Sequence, residues 1–207
     1  MTLTEDRVAG DGPAERGNAA ARRAMIDSQL RTSGVNEPWV LAAMASVARE
    51  EFVPAEARDA AYIDRAIPLG DGRFLAAPLV HARMLAEAAP SADDKVLLVG
   101  DGAGYLAALL RPLVGTLVAI SPADAAKAKP RGAVYSLVVI DGAIEHLPRG
   151  MIGQIADNGR LVTGLVERGV TRLATGRKAG GDVALLPLAE IGMPVLAEFA
   201  APKLWKF

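Results

Sequence analysis

Lys95-Val96-Leu97-Leu98-Val99-Gly100-Asp101-Gly102-Ala103-Gly104-Tyr105 is the stretch that decides the reading of this chain. An apolar run ends in three alternating glycines and passes directly into Leu106-Ala107-Ala108-Leu109-Leu110, a helix-forming sequence. Glycines at that junction let the backbone come close to a ligand, and the free amides opening a helix favour anionic groups. Strand, glycine turn and helix in this order make a nucleotide-binding corner of α/β proteins. The same residues also suit a tight turn that merely packs helix on strand. Asp101 has two readings as well: a partner for a ligand ammonium, or the local hydrogen bond that Asp makes in turns.

Downstream, β and α patterns alternate, the mark of a mostly parallel sheet. Strands are expected at Lys95–Val99, Thr116–Ile120, Val134–Ile140 and Arg160–Val166, with helices at Gly104–Leu113 and around Leu147–Asp157. Arg168–Gly176 and Asp182–Leu186 read as a hairpin about Gly180-Gly181, and Val195–Phe199 as a further piece of edge strand. Four parallel strands followed by an antiparallel pair describe an α/β doubly wound sheet of the methyltransferase type. Asp141-Gly142 closes a strand at the carboxyl edge, where such folds bind ligands, so Asp141 is an acidic candidate; the alternative is an Asx turn.

Upstream, Met1 to Gly17 is polar and charged with little to bury, and reads as a disordered tail. A helix is expected from Asn18 to Thr32 with Met25, Ile26 and Leu30 on one face, stopped at Gly34. A second is capped by Asn36, with Pro38 in its first turn and Trp39, Val40, Ala43, Met44 and Val47 buried. Ala55–Leu75 is a connection containing the Gly70-Asp71-Gly72 turn, and Pro78–Ala89 is a third helix. The division is therefore a tail (1–17), an N-terminal helical region packing on the core (18–90) and a Rossmann-like core (91–207).

Composition narrows the function. The 207 residues carry a formal net charge of −1, which points to neither nucleic acid nor an anionic membrane. With no cysteine, thiol catalysis, disulfides and cysteine-ligated metals are excluded, and the two histidines, His81 and His146, cannot build a multi-histidine metal site. No apolar run reaches the length of a membrane span, and the expected location is the cytoplasm. His81 reads as a partly exposed packing histidine or a partner for an anionic ligand; His146 lies in a loop with nothing to pair it to chemistry. Lys127, Lys129 and Arg131 read as a solvated crossover, and Trp39 and Trp205 as packing residues.

Met25, Gln29-Leu30, Gly34, Val40-Leu41, Ala43-Met44, Arg49-Glu50, Phe52-Val53-Pro54, Ala61-Tyr62, Asp64, Pro68, Gly70 and Pro78 form a pattern that continues into the glycine turn with Tyr105. Gln154 and Asn158-Gly159-Arg160-Leu161-Val162 extend it. The pattern resembles the bacterial protein-L-isoaspartate O-methyltransferases, and R-E-x-F-V-P followed by A-Y-x-D is its most specific part. The resemblance implies a class I S-adenosylmethionine fold with an N-terminal helical extension. It implies methyl transfer to the free carboxylate of isoaspartyl residues in damaged proteins or peptides. The cofactor would lie along Val99, Gly100, Asp101, Gly102 and Gly104, with Ser121 and Asp141 at its flanks.

Four departures from the family accompany it. Leu98 stands at the end of the first strand, where the fold usually has an acid. Ser121 follows the second strand, where the family has the carboxylate that grips the ribose; each charge-assisted bond lost is worth about 1.5–3 kcal/mol. Only thirteen residues, Ser121 to Ala133, join the second strand to the next, so the outer strand and its adenine-facing loop are expected to be missing. Ser121-Pro122 would cap two helical turns over Ala123–Lys129, ended by Pro130. Ala76 stands where well-characterised members carry a hydroxyl over the reacting carboxylate, leaving the catalytic residue unassigned. The sequence thus describes a divergent, shortened member with impaired methyl transfer, or an inactive one serving as an interaction module. In the second case Thr116–Ile120, an uncharged sheet edge, would be covered by the N-terminal helices or by a second copy in a homodimer.

Overall fold

The protein is described by a computed structural model, which covers residues 13–130, 132 and 134–201. A helix, Pro13–Met25 (α1), runs into a single π-helical turn, Ile26–Leu30, and the chain reverses at Gly34 with φ of 85°. Pro13 to Gly17, expected as tail, is therefore helical: proline suits a first helical turn, where its missing N–H has no partner to lose. Met1 to Gly12 of that tail lies outside the described residues. The second helix, Pro38–Ser46 (α2), is capped at Glu37 and not at Asn36, whose amide instead donates to the Glu37 carboxylate. Val40, Ala43 and Met44 are buried as expected, and Leu41 is buried as well, but Trp39 is exposed and Val47 falls beyond the helix.

Two 3-10 turns, Arg49–Phe52 and Ala55–Ala60, lead to a small antiparallel hairpin of Ile67–Gly70 (β1) and Arg73–Leu75 (β2). Its turn is Gly70-Asp71-Gly72, with all three residues at positive φ. Helix α3 (Pro78–Ala88) then precedes Lys95–Val99 (β3), Tyr105–Leu110 (α4), Thr116–Ile120 (β4) and the short helix Pro122–Ala126 (α5). Tyr135–Ile144 (β5), Arg149–Ile152 (α6), Ile155–Glu167 (β6), Val170–Ala179 (β7) and Asp182–Glu190 (β8) complete the order.

The main sheet has the order β4-β3-β5-β6-β7-β8. Its first four strands are parallel and its last two antiparallel, closed by the Gly180-Gly181 turn. Alternation along β3 and β5 separates two cores, as strand geometry requires. Val96, Leu98, Leu137 and Val139 face α3, α4 and the N-terminal helices, whereas Leu97, Val99, Val138 and Ile140 face α5, α6 and Phe199. Being covered on both faces, these strands read as continuous apolar runs.

Several segments differ from the sequence reading: β5 continues through Asp141-Gly142 to Ile144, so those residues do not close the strand, and β6 begins at Ile155. Helix α5 ends at Ala126 and not at Lys129. Helix α6 is a single turn, because Gly150 and Gly153 press on the crossover: a Cβ on Gly150 would lie 1.7 Å from the Ala128 carbonyl oxygen. Val195 makes one parallel bridge to Ala143 of β5, and Ala197–Phe199 turns as a 3-10 helix that buries Phe199, so no edge strand forms there.

The outer strand is absent: β4 pairs only with β3 among the described residues. Thr116 is exposed and the rest of β4 half-buried. The N-terminal helices pack mainly on α3 and on one another, so they do not pair with that edge. Among the described residues, no helix is long and apolar enough to cross a membrane.

At the other end of β3, Asp94 ties the parallel strands together. Its carboxylate accepts from Ser136 Oγ (2.7 Å), the Ser91 amide (2.9 Å) and Arg160 of β6 (2.6 Å).

Candidate active site

The glycine turn leaves β3 at the carboxyl edge, where the parallel strands bring their loops together. Gly100 N–H donates to the Ile120 carbonyl (2.9 Å), docking the turn on the end of β4. A Cβ on Gly102 would meet the Ala119 side chain at 3.0 Å, and one on Gly100 the Asp141 side chain at 3.1 Å. A side chain at either position would therefore need its neighbour to give by a few tenths of an ångström. Gly104 caps α4, and its Cβ would crowd Asp101. Asp101 accepts from the Ala103 amide (2.9 Å), the local turn bond that was one of its two readings. Val99 and Leu98 are fully buried beneath the turn.

Ser121 is committed to the helix that follows it. Its hydroxyl accepts from the Asp124 amide (3.1 Å) and donates to the Asp124 carboxylate (2.7 Å), so it caps α5 at both valences. Ala76 is buried and presents only a methyl group, while its carbonyl accepts from the Arg49 guanidinium.

Asp141 and His81 come together, which the sequence did not suggest. Oδ1 of Asp141 lies 3.0 Å from Nε2 of His81, and Nδ1 of His81 lies 3.4 Å from Arg49 Nη1. His81 is wholly buried, not partly exposed, because α3 lays it against the sheet between Tyr105 and Asp141. A guanidinium only donates, so Nδ1 must accept; that leaves the proton on Nε2, directed at Asp141. Asp141 is thus engaged with a remote partner and not in an Asx turn.

Arg49 is equally buried. It donates through Nε to the Ala61 carbonyl (2.7 Å) and lies 4.9 Å over the Tyr105 ring. Burial lowers its pKa to about 10, against the pull of Tyr105 and Asp141 toward the charged form. Tyr105 is itself raised by burial, and its hydroxyl reaches Met44 Sδ at 3.7 Å. A second cluster adjoins this one: the Tyr62 hydroxyl donates to Glu50 and accepts from Arg22 Nε (2.8 Å). Sequence reading treated Arg49, Glu50 and Tyr62 as matching letters only; a charged residue amid apolar neighbours was the available signal.

A cleft of about 470 Å³ is lined among others by Asp64, Arg65, Phe74, Ala77, Val80 and Met193; neither the glycine turn nor Asp141 lines it. His146, Lys127 and Lys129 are exposed and stand apart from the turn, while Arg131 and Trp205 lie outside the described residues. No cluster of three metal-binding side chains occurs among the described residues.

Comparison with known proteins now bears on the turn and its approaches. Residues 20–128 match the family model of protein-L-isoaspartate(D-aspartate) O-methyltransferase, more than half of the chain. The chain belongs to that family. It is 33% identical to protein-L-isoaspartate O-methyltransferase 1 of Rhodopseudomonas palustris, covering 70% of this chain and 69% of the relative. It is 32% identical to the Koribacter versatilis protein-L-isoaspartate O-methyltransferase, covering 80% and 85%. Among solved structures, a Plasmodium falciparum beta-aspartate methyltransferase superposes with a TM-score of 0.66 over 87% of this chain and 98% of its own. At 16% identity that likeness establishes the Rossmann-like methyltransferase fold.

Proposed function

We propose that this family member transfers a methyl group from S-adenosylmethionine to the carboxylate of isoaspartyl residues in proteins or peptides, with a weakened hold on the cofactor. The observation that carries the reading is the glycine turn, docked on the end of β4 through Gly100 and flanked by the Asp141 carboxylate. The relatives carry the activity in their names, and the Plasmodium falciparum structure holds S-adenosyl-L-homocysteine.

The residues fit the amino-acid half of that cofactor: Val99, Gly100, Asp101, Gly102 and Gly104 would hold it, with Asp141 beside them. The ribose half fits less well, because Ser121 spends its hydroxyl on Asp124. When bound, the cofactor supplies an activated methyl group. A carboxylate acceptor needs no general base, only alignment and exclusion of water, which suits a site whose Ala76 offers no hydroxyl. Arg65, exposed at the 470 Å³ cleft, is a cation available to an anionic acceptor.

The test is transfer of labelled methyl groups to an isoaspartyl peptide, with the aspartyl peptide as control. Transfer that saturates only at high cofactor concentration is the expected result. No transfer, together with no calorimetric binding of S-adenosylhomocysteine, would favour a second reading. In that reading the chain is an inactive member that pairs with a second copy along Thr116–Ile120, the open strand edge. Sedimentation then separates the two: the second reading requires a dimer.

A further inference from the structure

Resting on the reading that the glycine turn holds S-adenosylmethionine, we propose that Asp141 receives the ammonium of that ligand's amino-acid end. We assign to Arg49 and His81 the role of positioning it.

Three acidic side chains stand around the turn. Asp101 accepts from the Ala103 amide through Oδ1 and Asp124 from the Ser121 hydroxyl through Oδ2, both local bonds within three residues. Asp141 alone of the three is held from a distance, by His81 sixty residues away, and only through Oδ1. Its Oδ2 has no hydrogen-bond partner among the described residues. That oxygen lies 3.8 Å from the point where a Gly100 side chain would begin. The Asp141 side chain is 22% exposed, so the carboxylate is not sealed off from solvent beside the turn. A carboxylate so placed has two lone pairs to offer and needs a donor, and an ammonium is the donor that also matches its charge.

The buried relay explains why this carboxylate can be held in place. Arg49 cannot accept a hydrogen bond, so it forces the His81 proton onto Nε2, which then donates to Asp141. Arg49 in turn is anchored by the Ala61 and Ala76 carbonyls. The Arg49 guanidinium and the Asp141 carboxylate also attract one another electrostatically. Asp141 is therefore preset before any ligand arrives, which lowers the cost of binding.

Calorimetric titration of the wild-type protein with S-adenosylhomocysteine and with its deaminated analogue, in which hydrogen replaces the amino group, tests the assignment. Loss of the ammonium should weaken binding by about tenfold or more, the worth of one charge-assisted bond. In Asp141→Asn that preference should fall to about twofold or less, while the affinity for the deaminated analogue stays close to wild type. Should Asp141→Asn not fold, His81→Leu and His81→Gln serve instead. Leucine should abolish the ammonium preference, and glutamine, which can accept from Arg49 and donate to Asp141, should restore it. An ammonium preference that survives in Asp141→Asn, or in His81→Leu, overturns the proposal and leaves the cofactor reading standing. Absence of S-adenosylhomocysteine binding to the wild type overturns both.

Discussion

Nε2 of His81 lies 3.0 Å from Oδ1 of Asp141, although sixty residues separate them and the imidazole has no exposed surface. The contact joins α3, from the N-terminal part of the chain, to the second half of β5. Through Arg49 it also reaches Ala61 and Ala76, so one buried polar chain links the segments on both sides of the glycine turn.

Breaking that chain at Arg49 should be costly. Arg49→Met leaves the Ala61 and Ala76 carbonyls and His81 Nδ1 without their donor, in a site water does not reach. A loss of about 3–5 kcal/mol is expected, because each buried acceptor left unpaired costs about 1–3 kcal/mol. Urea unfolding measures it. Arg49→Lys should recover only part, because one ammonium cannot span three acceptors that a planar fork reaches.

The two buried tyrosines set the alkaline limit. Burial, with help from Glu50, pushes Tyr62 up to about 12, and burial raises Tyr105 as well. In the unfolded chain both ionise near 10. A raised folded pKa means stability that is complete below the unfolded value and is lost as pH rises through the folded one. Arg49, lowered by burial to about 10, acts with the opposite sign, but it is one group against two. Stability should therefore fall from about pH 10 upward, and Tyr62→Phe should flatten that fall. Urea midpoints across this range provide the check.

Acid sensitivity should come in part from Asp94. Burial pushes its carboxyl up, but hydrogen bonds from Ser136, Ser91 and Arg160 outweigh that and hold it below the usual carboxylate range. A lowered folded pKa gives stability that is present above the unfolded value, near about 4, and lost as pH falls through the folded one. Asp94→Asn should flatten this arm of the urea-midpoint profile. An unchanged acid arm would show that Asp94 does not govern it.

Ser121→Ala separates a capping role from a ligand role. Removing the cap should destabilise the fold by about 1 kcal/mol, seen in the thermal midpoint. Affinity for S-adenosylhomocysteine should not change, since the hydroxyl already serves Asp124.

Gly150→Ala should destabilise far more than a surface substitution, because the new Cβ would sit 1.7 Å from the Ala128 carbonyl oxygen. Either α6 or the crossover must move, at a cost of about 1–3 kcal/mol or more. Gly17→Ala, with nothing within 4 Å of its Cβ, is the control and should be neutral or slightly stabilising.

What the sequence determined by itself was the sheet and the turn. Runs such as Lys95–Val99 are apolar on both faces and therefore central and parallel, while Gly180-Gly181 between alternating segments makes the antiparallel pair. Thirteen residues after Ile120 left no room for an outer strand, and β4 is indeed the edge. These are local or length-limited properties, carried by period, propensity and chain reach. Only the tertiary structure decided the site's polar partners. Whether Asp141 makes an Asx turn or meets a histidine depends on where α3 lays His81, whereas the Ser121 cap was already legible in Ser121-Pro122. Hydrogen bonds between residues sixty positions apart leave no periodicity in the chain. They follow from packing, which brings the groups to within 3 Å and removes the water that would otherwise satisfy each one separately.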